Sequence, residues 1–366
     1  MNEQTAGRLA GTAARARALL GGAPAGAGNA ESAGGGTGPP NDADVALIAA
    51  RIRHYSPATP ADVANALASE LTEQARSAVM QLLGGATDAS LNQNDRVALE
   101  AVIHVRSRPA VRIQGNNGDR LEGLEAHPGS ELWQDLITDN EARIITAATA
   151  TGAAMMRALG TGVPELVVGS AWLVTPNRVV TNRHVLWSNE WNMLVDKPAG
   201  GQRIGNDYSL TIEFTYDNRP TGVRTRRQVT DVFYVSKPDD PIDIAVLGIE
   251  GTGTPLKIAA GDAKLPKNLF VVGHPGLMLE IPEAVKAVFG SPDGKKRVSF
   301  GKGRDTGAAT QFGHDASTIG GYSGGPVVGI SDGIVAGLHY YGDPANGNLA
   351  ISAAAIRAHA AFEYCT

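Results

Sequence analysis

From Glu165 onward the apolar residues of this chain come in short runs punctuated by Gly, Pro, Asn and Asp, and that rhythm leaves few folds open. Leu210, Ile212, Phe214 and Tyr216 alternate with Thr211, Glu213 and Thr215. A period of two turns one face of a strand inward and the other outward. Many such runs follow one another, closed by one helical stretch over Ser352–Phe362. The pattern predicts an all-β barrel or sandwich and argues against βαβ units.

The residues ahead of this half have a different character. Residues 1–41 read as a flexible segment: 21–40 (GGAPAGAGNAESAGGGTGPP) hold almost no large side chains, too little apolar surface to offset the cost of ordering a backbone. Gly7 to Leu20, rich in Ala and Arg, is compatible with a transient helix. Residues 42–106 read as a helical module. Ala43–Tyr55 and Asp95–Arg106 form two of its helices. Between them, Thr59-Pro60 marks an N-cap and first turn, and Val63, Leu67, Leu71, Ala75, Ala78 and Leu82 recur at helical spacing up to Gly84-Gly85. Three helices with one apolar stripe each predict a small bundle or a layer packed on a neighbour, structural, regulatory or docking in role. Residues 107–164 read as a mixed connecting segment packing on the barrel, with a short strand over Val111–Gln114 and a helix over Glu131–Ile145 that turns Leu132, Leu136, Ile144 and Ile145 inward. The β unit then spans 165–366.

Composition narrows the partners. Charged residues make up 19% of the chain, hydrophobic ones 43%, and the net charge is −5. That balance offers no field for nucleic acid or an anionic membrane, and neither is expected as a partner. Arg219, Arg224, Arg226 and Arg227 fall together between two strand-like runs and read as a solvated hairpin tip. The single cysteine, Cys365, makes no intramolecular disulfide and assembles no cysteine-rich zinc site. No cofactor or metal is expected. Arg8, Arg15 and Arg17 interrupt any apolar stretch near the N-terminus, and no run of eighteen apolar residues occurs, so a cytoplasmic protein is the expectation.

Three segments of the β half hold groups that together make chemistry. GSAWLVTPNRVVTNRHVL (169–186) is a strand, a turn at Thr175-Pro176-Asn177, a second strand and then His184. DIAVLGIE (243–250) opens an apolar strand with Asp243. STIGGYSGGPVVG (317–329) sets Ser323 among glycines, with a strand running out of it. A serine hydroxyl is a poor nucleophile until a base in hydrogen-bond reach takes its proton, and a carboxylate must fix the tautomer of that base. Charge developing on a carbonyl oxygen needs preorganised donors, which a glycine-built loop supplies from its backbone. Singly, each segment is ordinary: a histidine after a strand, an aspartate at a strand edge, a Gly-rich loop. Their conjunction points to acyl transfer.

TNRHVL, DIAVL and GYSGGPVVG resemble the signature segments of trypsin-like serine peptidases, in that family's order His, Asp, Ser. The resemblance covers roughly 165–366. It implies a mainly β, chymotrypsin-like fold of two six-stranded antiparallel barrels with the site in the cleft between them, preceded here by the helical region. It makes His184 the general base and acid, Asp243 its orienting partner and Ser323 the nucleophile, with the N–H groups of Gly321 and Ser323 as the oxyanion hole. The substrate is then a protein or peptide. Animal digestive members are stapled by disulfides, which this chain lacks.

The likeness is nearer to bacterial members, including glutamyl endopeptidases. VVGHPG (271–276), STIGGYSGGPVV and GLHYYG (337–342) resemble segments of those proteins. In glutamyl-specific members a His and a Thr at the positions of His339 and Thr318 help receive the substrate carboxylate, which an imidazole and a hydroxyl can both bond. An acidic preference stands beside a small or undefined one. Tyr322 replaces the Asp that precedes the nucleophile in mammalian members, so activation through an ion pair there is impossible.

His274 and His314 rival His184 as the base but lack its strand–turn–strand approach. Asp239 and Asp240, ahead of Pro241, rival Asp243, and Asp315 reads as a loop carboxylate. Two other functions stay open. One is a quality-control peptidase of the HtrA type, whose serine segment is also G-x-S-G-G-P but which normally carries a peptide-binding PDZ domain after the barrel. The other is a catalytically silent barrel used as a protein-binding scaffold. The helical region is a candidate contact for a regulatory protein.

Overall fold

The computed structural model describes Ala16 and residues 38–86, 90–106, 108–127, 130–219, 224–276, 293–318, 320–343 and 347–366. The transient helix and the flexible segment expected near the N-terminus fall almost wholly outside them.

Three helices come first: α1 (Asp42–Tyr55), α2 (Ala61–Leu83) and α3 (Gln93–Val105). Asn41 and Asn92 cap α1 and α3 in reciprocal boxes, the amide of Asn92 donating to Asp95 and that of Asp95 to Asn92 at 3.0 and 2.9 Å. Pro60 itself occupies the N-cap position of α2, one residue later than the Thr59 cap expected. The buried face of α2 is Ala64, Ala68, Leu71, Thr72, Ala75, Ala78, Val79 and Leu82, while Val63 is half exposed. Small residues let α1 and α3 approach closely, so alanines take the inward stripe in place of Val63. These helices share a core of their own, which includes Ile48, Ile52, Leu71, Leu99 and Ile103. Its polar clasp is Arg106, which grips Asp44 with two bonds of 2.6 Å and also donates to the carbonyls of Gly38 and Pro39.

The chain then enters the β region through β1 (Ala110–Gln114) and β2 (Arg120–Leu121), followed by α4 (Gln134–Thr138) and α5 (Glu141–Thr149). The single helix expected over Glu131–Ile145 is thus broken, by a turn at Asp139-Asn140 where the Asn140 side chain bonds back to the Leu136 carbonyl at 2.8 Å.

A closed six-stranded barrel is made by β3 (Thr151–Ala158), β4 (Leu166–Thr175), β5 (Arg178–Thr181), β8 (Tyr208–Glu213), β9 (Arg226–Val235) and β10 (Ala245–Ile249), in the order β10-β5-β4-β3-β8-β9. It therefore begins at Thr151, inside the segment read as connecting, rather than at Glu165. The first six residues of β3 are all buried, so no alternation marks them as a strand. The pair β6 (Leu194–Asp196) and β7 (Gln202–Ile204) forms a separate hairpin.

The second ring runs β11 (Asn268–Gly273), β14 (Pro326–Gly329), β15 (Val335–Asp343), β16 (Gly347–Ser352), β13 (Gln311–His314) and β12 (Arg297–Arg304), and closes through β11–β12 pairing. All pairings in both rings are antiparallel. The fold is mainly β, two closed six-stranded barrels of chymotrypsin-like form preceded by helices. The last turns are α7 (Ala353–Ala358) and a 3₁₀ stretch over Ala360–Tyr364. Among the described residues no helix is long and apolar enough to cross a membrane.

The connecting segment does more than pack on the barrels. β1 adds to β12, with Arg112 opposite Arg297, and Arg108 pairs with Asp315 at 2.6 Å. Helices and barrels meet over Tyr55, whose ring lies 4.5 Å beneath the Arg112 guanidinium, and over His54 and Glu122, 3.3 Å apart. This seam is polar and solvent can replace it, whereas the helical core includes no barrel residue. A chain starting at Arg108, which keeps β1, is therefore expected to stay soluble with one cooperative melt at a somewhat lower midpoint. Calorimetry checks this. Precipitation, or loss of the cooperative transition, would show that the helices complete the barrel core.

Candidate active site

β5 ends at Thr181, and the short α6 (Arg183–Leu186) that follows carries His184. Asp243 stands just before β10, the neighbour of β5, with Ala245 opposite Thr181. Register thus places base and carboxylate side by side. His184 Nδ1 lies 2.6 Å from Asp243 Oδ2, and the His184 amide donates to Oδ1 at 3.2 Å. The Asn182 side chain holds the Asp243 carbonyl at 2.8 Å. With Nδ1 donating to the carboxylate, Nε2 keeps its lone pair. Burial alone would raise the Asp243 pKa. The His184 hydrogen bond and the charges of His184 and Arg183 more than offset it and hold the carboxyl below its ordinary value. The imidazole is 38% exposed and the carboxylate 14%, so the first can meet a substrate and the second is shielded.

The loop carrying Ser323 is stapled to the first barrel by Ser170 of β4. Ser170 donates its amide to the Ser323 carbonyl at 2.8 Å and its hydroxyl to the Gly321 carbonyl at 2.8 Å. It also accepts from the His274 amide at 3.0 Å, while the Thr181 hydroxyl donates to its carbonyl at 2.7 Å. One small residue, through its amide, carbonyl and hydroxyl, thereby joins β4, β5, the end of β11 and the nucleophile loop. Ser170 was not singled out in the sequence, although it lies in the quoted GSAW segment; nothing local distinguishes it from any other strand serine.

Gly321 has φ +101°, and a Cβ there would lie 2.2 Å from the His274 carbonyl oxygen and 2.3 Å from the Gly276 nitrogen. Only glycine fits. Neither the Gly321 nor the Ser323 amide donates to any described residue, so two N–H groups of adjacent turns are left to receive an outside acceptor. The Ser323 hydroxyl likewise forms no hydrogen bond to His184 among the described residues. Such contacts are often long before substrate binds and tighten only in the complex.

Tyr322 points the other way. It is buried, its hydroxyl 2.8 Å from that of Ser299, and burial pushes its pKa up to about 12. It is a core residue of the second barrel.

β15 runs beside the loop: the His339 carbonyl accepts from Gly324 and the His339 amide donates to Gly325, at 2.8 and 2.9 Å. His339 is buried, with Nδ1 3.0 Å from Nε2 of His314. Thr318 is buried on the approach to the loop, which the Asn348 side chain anchors at the Ala316 carbonyl.

The rival groups are engaged elsewhere. His274 is fully buried, donates from Nδ1 to the Gly294 carbonyl at 2.9 Å, and burial pushes its pKa well down. Asp240 meets His359 at 3.0 Å and Asp315 meets Arg108. Beside α6 a groove of about 710 Å³ opens, lined by Arg183, Trp187, Val195, Phe233 and Lys237 among others. Trp187, Val195 and Phe233 are among the large apolar side chains left exposed.

A comparison with families of known domains meets this geometry at the same residues. Residues 169–338 match the trypsin-like peptidase domain. The match spans His184, Asp243 and Ser323 and leaves the helical module outside. No curated protein matches the chain. Among solved structures, the Rv3671c protease of M. tuberculosis in its inactive form is 19% identical, with 62% of this chain and 94% of that chain covered and a TM-score of 0.40. Its active form gives 19% identity, coverage of 61% and 84% and a TM-score of 0.39. A serine endoprotease from Yersinia pestis is 18% identical, with coverage of 61% and 65% and a TM-score of 0.41. The chymotrypsin-like form of the two barrels is read from the strand pairings of this chain, and the family match covers 169–338.

Proposed function

We propose that the chain is a serine endopeptidase that cleaves peptide bonds through an acyl-enzyme, with Ser323 as nucleophile, His184 as general base and acid, and Asp243 as the group that orients the imidazole. The observation that carries this reading is the Asp243–His184 pair together with a glycine loop whose Gly321 and Ser323 amides have no acceptor among the described residues. His184 Nε2 takes the serine proton as Oγ attacks, the two amides receive the carbonyl oxygen as it becomes an oxyanion, and His184 returns the proton to the leaving amine. Water then repeats the cycle on the acyl group. The exposed apolar side chains beside α6 suit the flanking polypeptide of a protein substrate. Hydrolysis of a quenched fluorescent peptide library by the purified chain tests the activity. No turnover by folded protein would favour the rival reading, a silent scaffold.

The preferred residue ahead of the cut is Glu in this reading. His339 and Thr318 flank the nucleophile loop, and an imidazole and a hydroxyl can both bond a substrate carboxylate. His339→Ala is expected to lower kcat/KM for cleavage after Glu by roughly 10²-fold in protein that remains folded at the assay temperature, and far less for cleavage after other residues. Profiling of cut sites checks this, and cuts concentrated after Lys, Arg or Phe would remove the acidic pocket without touching the catalytic assignment.

A further inference from the structure

At the end of the first barrel away from Asp243, a second cavity of about 580 Å³ lies between β9, α5 and the β1–β2 hairpin. β10 connects the two ends: Asp243 precedes its first residue, and Gly253 and Thr254, which line the cavity, follow its last. None of the proposed catalytic or specificity residues lines it. The volume is that of a small-molecule site.

The lining divides into two kinds of surface. Ile113, Ile145, Leu173 and Phe214 give it apolar walls. Three basic side chains, Lys296, Arg219 and Arg227, face one carboxylate, Asp217, and burial lowers the Lys296 pKa to about 7, which leaves the two guanidiniums as the fixed cations. Two of the three are already engaged. Arg219 clasps Asp217 with bonds of 2.8 and 2.7 Å. Lys296 donates to the carbonyls of Ala148, near the end of α5, and of Phe214, both at 2.6 Å. Arg227 differs. Its guanidinium rests 4.8 Å over the Phe214 ring and Nη2 donates to the Thr252 carbonyl at 2.7 Å, but Nη1 is buried with no acceptor.

A buried guanidinium nitrogen without an acceptor is costly, because it loses water and gains nothing. The cavity it lines carries a net positive charge. A planar carboxylate matches the fork of an arginine better than a point charge would, and the apolar walls suit a hydrocarbon body behind it. We propose that this cavity is a binding site for a small organic carboxylate with an apolar body, anchored by Arg227. It is independent of the peptidase reading.

The test uses the intact chain and four probes, benzoate, cyclohexanecarboxylate, benzyl alcohol and inorganic phosphate, with binding read by ligand-observed NMR and by the shift of the melting midpoint. Both carboxylates are expected to bind, with benzyl alcohol and phosphate at least ~10-fold weaker. Arg227→Met is expected to abolish carboxylate binding. Arg227→Lys, which keeps the charge and the packing on Phe214, is expected to fold normally and to weaken binding ~10-fold. His339→Ala is expected to leave it unchanged. Equal affinity for benzyl alcohol, binding that survives Arg227→Met, binding lost in His339→Ala, or no binding of either carboxylate would each overturn the proposal.

Discussion

Ser323→Ala is expected to lower peptide-bond hydrolysis by about 10⁴-fold or more, with the melting midpoint unchanged within error. The size follows from the loss of the proposed nucleophile. The Ser323 carbonyl, not its hydroxyl, is what Ser170 holds. The staple between the barrels therefore survives the substitution, as does the turn around Gly321 and Gly324. Substrate binding also survives, so KM is expected to move far less than kcat. Residual turnover from the oxyanion donors alone remains above the rate in water. Steady-state kinetics with a fluorescent peptide, alongside calorimetry of the same preparation, separates a chemical loss from a folding defect. Near-wild-type turnover by the folded variant would move the nucleophile elsewhere.

Asp243→Asn tests a different part of the mechanism, and the local geometry gives its sign. The His184 amide donates to Oδ1 while Oδ2 receives Nδ1. In the variant the amide oxygen stays opposite that backbone N–H, which turns the new NH₂ group toward Nδ1. A donor there forces Nδ1 to accept, moving the ring proton to Nε2. The base then has no lone pair for Ser323. A loss of roughly 10⁴-fold in kcat near neutral pH is expected. Stability should respond as well. Because the Asp243 carboxyl is held below its ordinary value in the folded state, it contributes stability above the unfolded carboxylate range, roughly pH 4, and that contribution fades as the pH falls through the depressed value. Asp243→Asn should remove this acid dependence. Urea titrations between pH 3 and 7 read it directly. An unchanged rate with an unchanged acid limb would show that the carboxylate does not act on His184.

Much of the architecture was legible because it is local. The short runs and the turns between them announced the barrels, although the strand expected over Leu210–Tyr216 is Tyr208–Glu213 and its outward residues, Thr211 and Glu213, are buried as well. The chemistry-bearing segments 169–186, 243–250 and 317–329 each hold one group in a distinctive frame. The helices showed through their period and caps, though on α2 the small residues won the inward face over Val63. What stayed hidden depends on partners far along the chain. β1 pairs with β12 only once the second barrel exists, with Arg112 set against Arg297. β3 has no alternation because both its faces are covered. Ser170 matters only through Gly321, Ser323 and His274, none of them near it in sequence. The arginines read as one solvated tip divide in space: Arg219 takes Asp217, Arg226 takes Glu165 and Arg227 turns into a cavity. Charge pattern shows that such residues cluster, but not which acids they meet.

The central claim is that Ser323 is an activated nucleophile in an intact site, and covalent labelling with a fluorophosphonate probe tests it most directly. Such a probe reacts with a serine only where a base and an oxyanion hole act together. Native protein is expected to take up one equivalent, on the peptide that contains GYSGGPVV, with the adduct mapped to Ser323. Labelling should vanish on heat denaturation and in Ser323→Ala, and slow greatly in Asp243→Asn. No adduct on natively folded protein, or an adduct on any other residue, would contradict the account.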